Sequence, residues 1–173
     1  LFRAVAPRFL AKKLLPAISR VLRLDDPILE AADAAVAAST DETAARLSEV
    51  CDVKETRSPV SLTAVQDAHR TIVDYEAARV HAAALADSLD LLSEGLREAL
   101  AHGATVTDVI YLAARRELIE LSQVFWKHVP ADTAILFPAA PAPAPEGTAT
   151  GDPAFIVPFT AMGAPIASLP VGF

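Results

Sequence analysis

Residues 132–172, DTAILFPAAPAPAPEGTATGDPAFIVPFTAMGAPIASLPVG, contain three short apolar runs separated by prolines and glycines. The run at 134–137 ends before a proline and is too short for a helix, a pattern that predicts a buried strand. The runs at 155–157 and 166–169 predict two further extended segments. Between the first two runs, an extended path without helix is predicted by four prolines, Pro138, Pro141, Pro143 and Pro145.

The residues upstream of this stretch have the apolar spacing of helices. Residues 10–23 have the spacing of a basic amphipathic helix with its apolar residues on one face. Asp25-Asp26-Pro27 is a favourable start for an alanine-rich helix. Residues 53–59 are interpreted as an extended linker. Three further helices are predicted at about 62–85, 88–101 and 107–128. Because helices are followed by strands, the sequence predicts part of a larger α/β layer structure.

Three local signals carry expectations about this helical part. Ser39-Thr40-Asp41 is predicted to cap a new helix that follows the alanine-rich one. Gly103 comes after the predicted 88–101 helix, where a glycine in the left-handed conformation commonly ends a helix. Glu76 lies beside the apolar stripe of the 62–85 helix, so its carboxylate is expected to have a partner.

The charge distribution argues against a nucleic-acid partner. The formal net charge is −7, and all residues after the basic segment 1–24 together carry 9 basic and 22 acidic side chains. Phosphate contacts need clustered lysine and arginine.

No apolar run reaches the roughly 18 residues of a membrane-spanning helix, although a weaker alternative places segment 1–24 at an anionic membrane surface. With a single cysteine, Cys51, a cytoplasmic location is predicted.

The sequence contains no familiar catalytic or metal-binding pattern. Amide hydrolysis needs a nucleophile, a proton acceptor and an oxyanion site, but no G-x-S-x-G elbow occurs and no serine lies in a glycine-rich turn. The histidines are widely spaced, and H-E-x-x-H and C-x-x-C are absent. We therefore predict no metal and no cofactor, and interpret Cys51 as a small, at least half-buried apolar residue.

Two motifs resemble the amidase signature family. Residues 132–138, DTAILFP, with APAPEG at 142–147, are similar to a family segment in which an aspartate precedes an apolar strand, a proline and an Ala-Pro-x-Gly loop. Residues 158–172, PFTAMGAPIASLPVG, are similar to the family stretch P-F-N-x-x-G-x-P-A-x-x-x-P-x-G. The resemblance is clear over residues 130–173 and looser over 25–129.

This resemblance implies a fragment of an α/β/α fold with a mixed sheet, mostly helical over residues 10–128. Amidase-signature enzymes act through a serine, a second serine on a cis peptide bond and a lysine, which lie in the N-terminal half of the family. No part of this chain matches the Gly/Ser-rich signature that carries them. The resemblance thus implies that residues 25–173 belong to one amidase domain without its catalytic half, while residues 1–24 stay unplaced.

The resemblance also implies three candidate substrate-binding residues. Thr160 stands where the family has the asparagine of its P-F-N triplet and keeps a hydrogen-bonding side chain, although a structural cap is an equal alternative. Gly163 would let backbone approach a ligand closely. Asp152 could orient a polar group of the substrate, but turn chemistry before Pro153 is the more common role of such a residue. Ile166 and Phe137 depart from the family pattern by added bulk and are expected to pack.

The function expected first is a fragment of an amidase that hydrolyses carbon–nitrogen amide bonds and is inactive alone. Its partner would be a small-molecule amide, and a homo-oligomer is left open. Two alternatives are kept: a glutaminase resembling the glutamine-hydrolysing component of a tRNA-dependent amidotransferase, and a non-catalytic scaffold with the amidase sheet. The apolar end at 169–173 and the missing initial methionine suggest a chain cut from a longer protein.

Overall fold

The computed structural model describes residues 18–83, 91–147 and 150–171, which form helices around a small parallel sheet. The strands are β1 (Arg20–Asp25), β2 (Asp52–Arg57) and β3 (Thr133–Leu136). The helices are α1 (Ala34–Ser48), α2 (Leu62–Val80), α3 (Glu94–Thr105), α4 (Asp108–His128) and α5 (Val157–Ala161). A 3₁₀ turn at Leu29–Ala31 precedes α1. The α/β class predicted from the sequence is confirmed.

The sheet has the strand order β2-β1-β3, and β1 pairs in parallel with both neighbours. Val21, Leu22 and Leu24 of this central strand are buried, as expected for a strand of a parallel sheet that is covered on its faces. All three described strands run parallel, so the mixed sheet implied by the resemblance is not present in the described part of the chain.

Strands β1 and β2 correct two sequence predictions. Residues 18–23 were expected in a helix, but residues 20–25 form the central strand, and the boundary drawn at residue 24 runs through it. The first part of that predicted helix, residues 10–17, lies outside the described residues. Residues 53–59 were interpreted as a linker, but residues 52–57 pair with β1 throughout. The expected mostly helical stretch over 10–128 therefore contains two strands.

Helix α1 is one continuous helix, so the predicted new start at Ser39-Thr40-Asp41 is wrong. Its N-cap is Asp33, whose carboxylate accepts a hydrogen bond from the Ala35 amide at 2.8 Å. The Thr40 hydroxyl donates to the Val36 carbonyl at 2.9 Å, so a residue typical of caps is satisfied inside the helix. The earlier Asp26 instead caps the turn after β1, where its buried carboxylate accepts hydrogen bonds from Ile28 and Leu62 amides.

Gly103 lies inside α3 and does not end it, which corrects the predicted left-handed cap. Helix α3 begins after its N-cap Ser93 and crosses α2 at this glycine. A Cβ at position 103 would lie 1.8 Å from the backbone oxygen of Asp74. At the same crossing, His102 Nδ1 lies 2.7 Å from the buried Asp74 carboxylate. The glycine is therefore required by helix packing. Residues 84–90, which include the predicted end of α2 and start of α3, lie outside the described residues.

Helix α4 confirms its prediction at both ends, and it also provides the partner expected for Glu76. The helix follows its N-cap Thr107 and ends at His128. The Tyr111 hydroxyl donates to the Glu76 carboxylate at 2.7 Å. Tyr111 stacks on Tyr75 of α2 with ring centroids 4.0 Å apart, and the Tyr75 hydroxyl donates to Asp108 at 2.7 Å. Two aromatic rings with carboxylate partners thus join α2 to α4.

The main hydrophobic core lies where β1, the start of α2, the end of α4 and α5 meet. Phe125 and Phe159 are buried with ring centroids 6.0 Å apart in an edge-to-face arrangement. Phe137, which directly follows β3, stacks on Phe159 at 3.9 Å, so the packing role expected for this departure from the family pattern is confirmed. The other buried members of the cluster are Leu24, Leu29, Val60, Leu62, Val65, Phe155 and Met162.

The extended segments predicted after β3 are not strands. Residues 154–156 form a turn that leads into α5, where the prediction placed an extended run at 155–157. Residues 164–171 have no assigned secondary structure, so the predicted strand at 166–169 is also absent from the described chain. The first prediction, a strand at 134–137, is confirmed as β3 with a shift of one residue.

None of the described helices combines the length and the apolar character needed to cross a bilayer.

Candidate functional site

The strand order favours a cleft at the carboxyl ends of the strands. The chain passes from β1 to β2 on one side and later returns to β3 on the other side. Such a reversal separates the loops at the carboxyl ends of the two strands, and open α/β sheets bind ligands in that crevice. Here the crevice lies beyond Asp25, the last residue of β1, and Leu136, the last residue of β3.

Two adjoining cavities occupy this edge. The smaller has a volume of about 120 Å³ and lies against the end of β1 and the 3₁₀ turn. The larger, which we call the groove, has a volume of about 950 Å³ and runs between α1, β3 and residues 166–171. Thr40 and Pro138 line both cavities. The volume of the groove falls within the range of small-molecule sites, about 300–1,000 Å³.

The lining of the groove is mostly apolar, with a few hydroxyl groups. Its polar side chains come from α1 and from residue 168, and its apolar walls include Phe137, Ile156 and Leu169. The Thr43 hydroxyl donates to the Ser39 carbonyl and the Thr40 hydroxyl to the Val36 carbonyl. Among the described residues, no hydroxyl group of the groove is hydrogen-bonded to a histidine, lysine or carboxylate. The groove is therefore suited to binding and contains no activated nucleophile in the described part.

Arg23 lines the smaller cavity and joins β1 to β2 and α1. From the central strand its guanidinium forms ion pairs with Glu55 of β2, at 2.7 Å, and with Asp41 of α1. These contacts join α1 to the sheet. The Nε of Arg23 is buried without a hydrogen-bond partner among the described residues.

The three predicted site residues precede, lie in or follow α5 along the chain, and none of them lines the groove. The Asp152 carboxylate accepts a hydrogen bond from the Ala154 amide at 2.8 Å, a turn arrangement. The exposed Thr160 donates through its hydroxyl to the Ile156 carbonyl at 3.2 Å. The contact of Asp152 is the turn role that was weighed against substrate binding, whereas Thr160 bonds inside α5 and caps neither end of it. The substrate role of both residues stays a prediction.

Gly163 has a local role at the end of α5. Its φ is +77°, its amide donates to the Thr160 carbonyl, and the Ala164 amide donates to the Phe159 carbonyl. This pair of hydrogen bonds is a Schellman motif, in which a glycine occupies the left-handed position after the helix. A Cβ at residue 163 would meet no atom within 4 Å. The backbone conformation, and not close packing, therefore requires glycine here.

Replacement of Gly163 by alanine is expected to destabilise the chain by about 1–2 kcal/mol, because an L-residue with a Cβ is strained in the left-handed region. Urea denaturation followed by circular dichroism measures this change. Asparagine tolerates the left-handed conformation better, so Gly163→Asn should recover part of the loss. Equal stability of the alanine variant and the parent chain would contradict the motif.

Hydrogen bonds shift the pKa of three groups outside the groove. The hydrogen bond to Asp108 raises the pKa of Tyr75, and that to Glu76 raises the pKa of Tyr111, because each carboxylate favours the neutral phenol. At the opposite edge of the sheet, the Ser19 hydroxyl donates to Asp132 at 2.6 Å and lowers the pKa of that carboxyl group. Asp132, the aspartate of the first motif, thus joins the amino ends of β1 and β3.

Sequence reasoning missed the residues that line the groove. Ser39 and Thr40 were interpreted as a helix cap, and Arg23, which lines the smaller cavity, was assigned to a basic helix. The available signal was the three apolar residues Val21, Leu22 and Leu24 before Asp25-Asp26-Pro27, a pattern that also fits a buried strand with a turn at its carboxyl end. Among the described residues, no group of three or more histidine, cysteine, aspartate or glutamate side chains is arranged to hold a metal ion.

Comparison with known proteins relates this architecture to an amidase. The chain is similar to a crystal structure of amidase with a TM-score of 0.74 and 26% sequence identity, and the match covers 90% of this chain. It covers 40% of the amidase chain, so this chain spans well under half of that protein. No family model matches the chain, and no curated protein matches it. We conclude that the chain has an amidase-like α/β fold.

Proposed function

We propose that this chain is part of an amidase that hydrolyses carbon–nitrogen amide bonds of small molecules. The similarity to an amidase over 90% of the chain carries this proposal. The cleft at the carboxyl edge of the sheet supports it, because this is where α/β enzymes bind ligands. In the proposal, the chain provides the sheet and one wall of the substrate site. Thr160, Gly163 and Asp152 do not line the groove and remain candidate substrate contacts in and around α5.

The catalytic step is assigned to residues outside this chain. A serine nucleophile, assisted by a second serine on a cis peptide bond and by a lysine, would form an acyl-enzyme and release the amine, after which water would release the acid. The apolar groove and the absence of an activated hydroxyl among its described residues support this division. The chain alone is therefore expected to be inactive.

The test compares this chain with the longer protein of which we propose it is a part. Both are incubated with aryl and aliphatic amides, with glutamine, and with a serine-reactive fluorophosphonate, and the labelled peptide is located by mass spectrometry. We expect turnover and labelling only in the longer protein, at a serine outside residues 1–173. A label on Ser39 or Ser168 would refute the assignment. Ammonia release from glutamine alone would favour the amidotransferase, and no turnover would favour the scaffold.

A further inference from the structure

We infer that Tyr75 and Tyr111 form a site of oxidative modification, at which a one-electron oxidant joins the two rings as dityrosine and links α2 to α4 covalently. The chain has two tyrosines, so a link within one chain has a single possible form. Neither residue lines the groove. The inference therefore concerns a second surface of the chain and does not depend on the proposed function.

The two rings are already in contact. Their centroids lie 4.0 Å apart and their planes differ by 10°. The guanidinium carbon of Arg79 lies 3.2 Å from the centroid of the Tyr75 ring. Because one face of a ring cannot hold both neighbours, the Tyr75 ring lies between Arg79 and Tyr111. This sandwich of a cation and two aromatic rings holds the tyrosines together before any reaction.

Each tyrosine hydroxyl also has its own proton acceptor. The Tyr75 hydroxyl donates to the Asp108 carboxylate and the Tyr111 hydroxyl to the Glu76 carboxylate, both at 2.7 Å. A neutral phenol loses a proton when it loses an electron, and a base at hydrogen-bond distance can take that proton as the electron leaves. The same hydrogen bonds raise the pKa of both tyrosines, so both are neutral phenols at neutral pH and need such a base.

The site is accessible, and the competing aromatic residue lacks a base. Both tyrosines are half-buried, whereas Glu76 and Asp108 are exposed and can pass a proton on to water. The other readily oxidised ring in the chain is that of Trp126, whose indole donates to the Met162 carbonyl at 2.9 Å. A carbonyl oxygen is too weak a base to take the indole proton. Oxidation is therefore expected to settle on the tyrosine pair.

The coupling step uses only the oxidant and these four side chains. Each tyrosine gives one electron to the oxidant and its hydroxyl proton to its carboxylate, which leaves two neutral phenoxyl radicals. A short slide of one ring over the other lets a carbon–carbon bond form between carbons next to the hydroxyl-bearing carbon of each ring. These two carbons lose their protons to water, and the oxygens take back the protons held by the carboxylates. The net loss is two electrons and two protons.

Photochemical oxidation provides the main test. This chain and the longer protein are illuminated with tris(bipyridine)ruthenium(II) and persulfate, in which the ruthenium(III) formed is the one-electron oxidant. We expect dityrosine fluorescence in monomeric chains and a joined pair of tryptic peptides, 71–79 and 98–115. At micromolar protein, links within a chain should exceed links between chains by about a hundredfold, because groups held together have a millimolar or higher effective concentration.

Two variants give matched controls. Tyr111→Phe combined with Leu112→Tyr keeps two tyrosines but moves one to a neighbouring position that is 56% exposed, so the link within the chain should be lost. Glu76→Gln keeps an oxygen that accepts the hydrogen bond but takes no proton. It should lower the yield about tenfold, less than the usual effect of a positioned base because water takes over part of its role.

The linked chain should also unfold at a higher urea concentration, because the new bond closes the loop between residues 75 and 111 in the unfolded state. Any of three results would overturn the inference. These are links that form only between chains, an equal yield within the chain after the tyrosine is moved, and oxidation of Trp126 without joined tyrosine peptides. An unchanged yield in Glu76→Gln would refute the role of the carboxylate as proton acceptor.

Discussion

Replacement of Gly103 by alanine is expected to destabilise the chain by about 3 kcal/mol or more. A Cβ at this position would lie 1.8 Å from the Asp74 backbone oxygen and 3.0 Å from the Ala78 Cβ. Because backbone atoms cannot rotate away, α2 and α3 would have to separate, and overpacking of this kind costs about 1–3 kcal/mol and occasionally more. The loss exceeds the roughly 0.5–1 kcal/mol that alanine gains over glycine inside a helix.

Gly95 provides the control, since it lies in the same helix and a Cβ there would meet no atom within 4 Å. Gly95→Ala is expected to stabilise the chain by up to about 1 kcal/mol. Urea denaturation of both variants measures the difference. A Gly103→Ala variant as stable as Gly95→Ala would show that α2 and α3 do not approach as closely as described.

Replacement of Phe125 by alanine is expected to have an effect of similar or greater size, about 3–5 kcal/mol. Phe125 is fully buried at 0% exposure, and its ring contacts the edges or faces of Trp126 and Phe159. Its removal leaves a cavity between α4 and α5 and loses both aromatic contacts. Since small domains are stable by only about 5–15 kcal/mol, such a loss is a large part of the total.

Two further variants keep this prediction testable if Phe125→Ala does not fold. Phe125→Leu retains most of the volume and should cost less than about 1.5 kcal/mol. Leu112→Ala removes a side chain on the same helix that is 56% exposed, and should change the free energy of unfolding by no more than about 0.5 kcal/mol. In thermal unfolding, Phe125→Ala should lose the most stability, Phe125→Leu less and Leu112→Ala the least. Equal losses of stability for Phe125→Ala and Leu112→Ala would contradict the described core.

The position of the cleft was not predictable from sequence because it depends on the central strand β1, which carried a weak local signal. Strand β1 contains Arg20 and Arg23, whose spacing also fits the polar face of a helix. In the structure these arginines pair with Asp52 and Glu55 of β2. Their role is therefore set by a neighbouring strand that is remote in sequence. The same holds for β2, since its exposed, charged residues suggest a linker until β1 is placed beside it.

The sequence by itself determined the elements whose signals are local. Thr107 as a cap and the apolar spacing after it defined α4, and the apolar run before Pro138 defined β3. These features need only neighbours along the chain. The motifs in the C-terminal part also predicted a resemblance to amidases, and the structural similarity to an amidase supports that prediction at the level of the fold.

The tertiary structure alone decided which elements meet. Gly103 resembles a helix end in sequence, but the approach of α2 makes it a packing residue. Residues 166–169 have the pattern of a strand, yet they are unpaired in the described chain, because a strand exists only with a partner to accept and donate its hydrogen bonds. Local propensity is encoded residue by residue, whereas crossings, pairings and clefts arise from contacts between residues far apart in the chain.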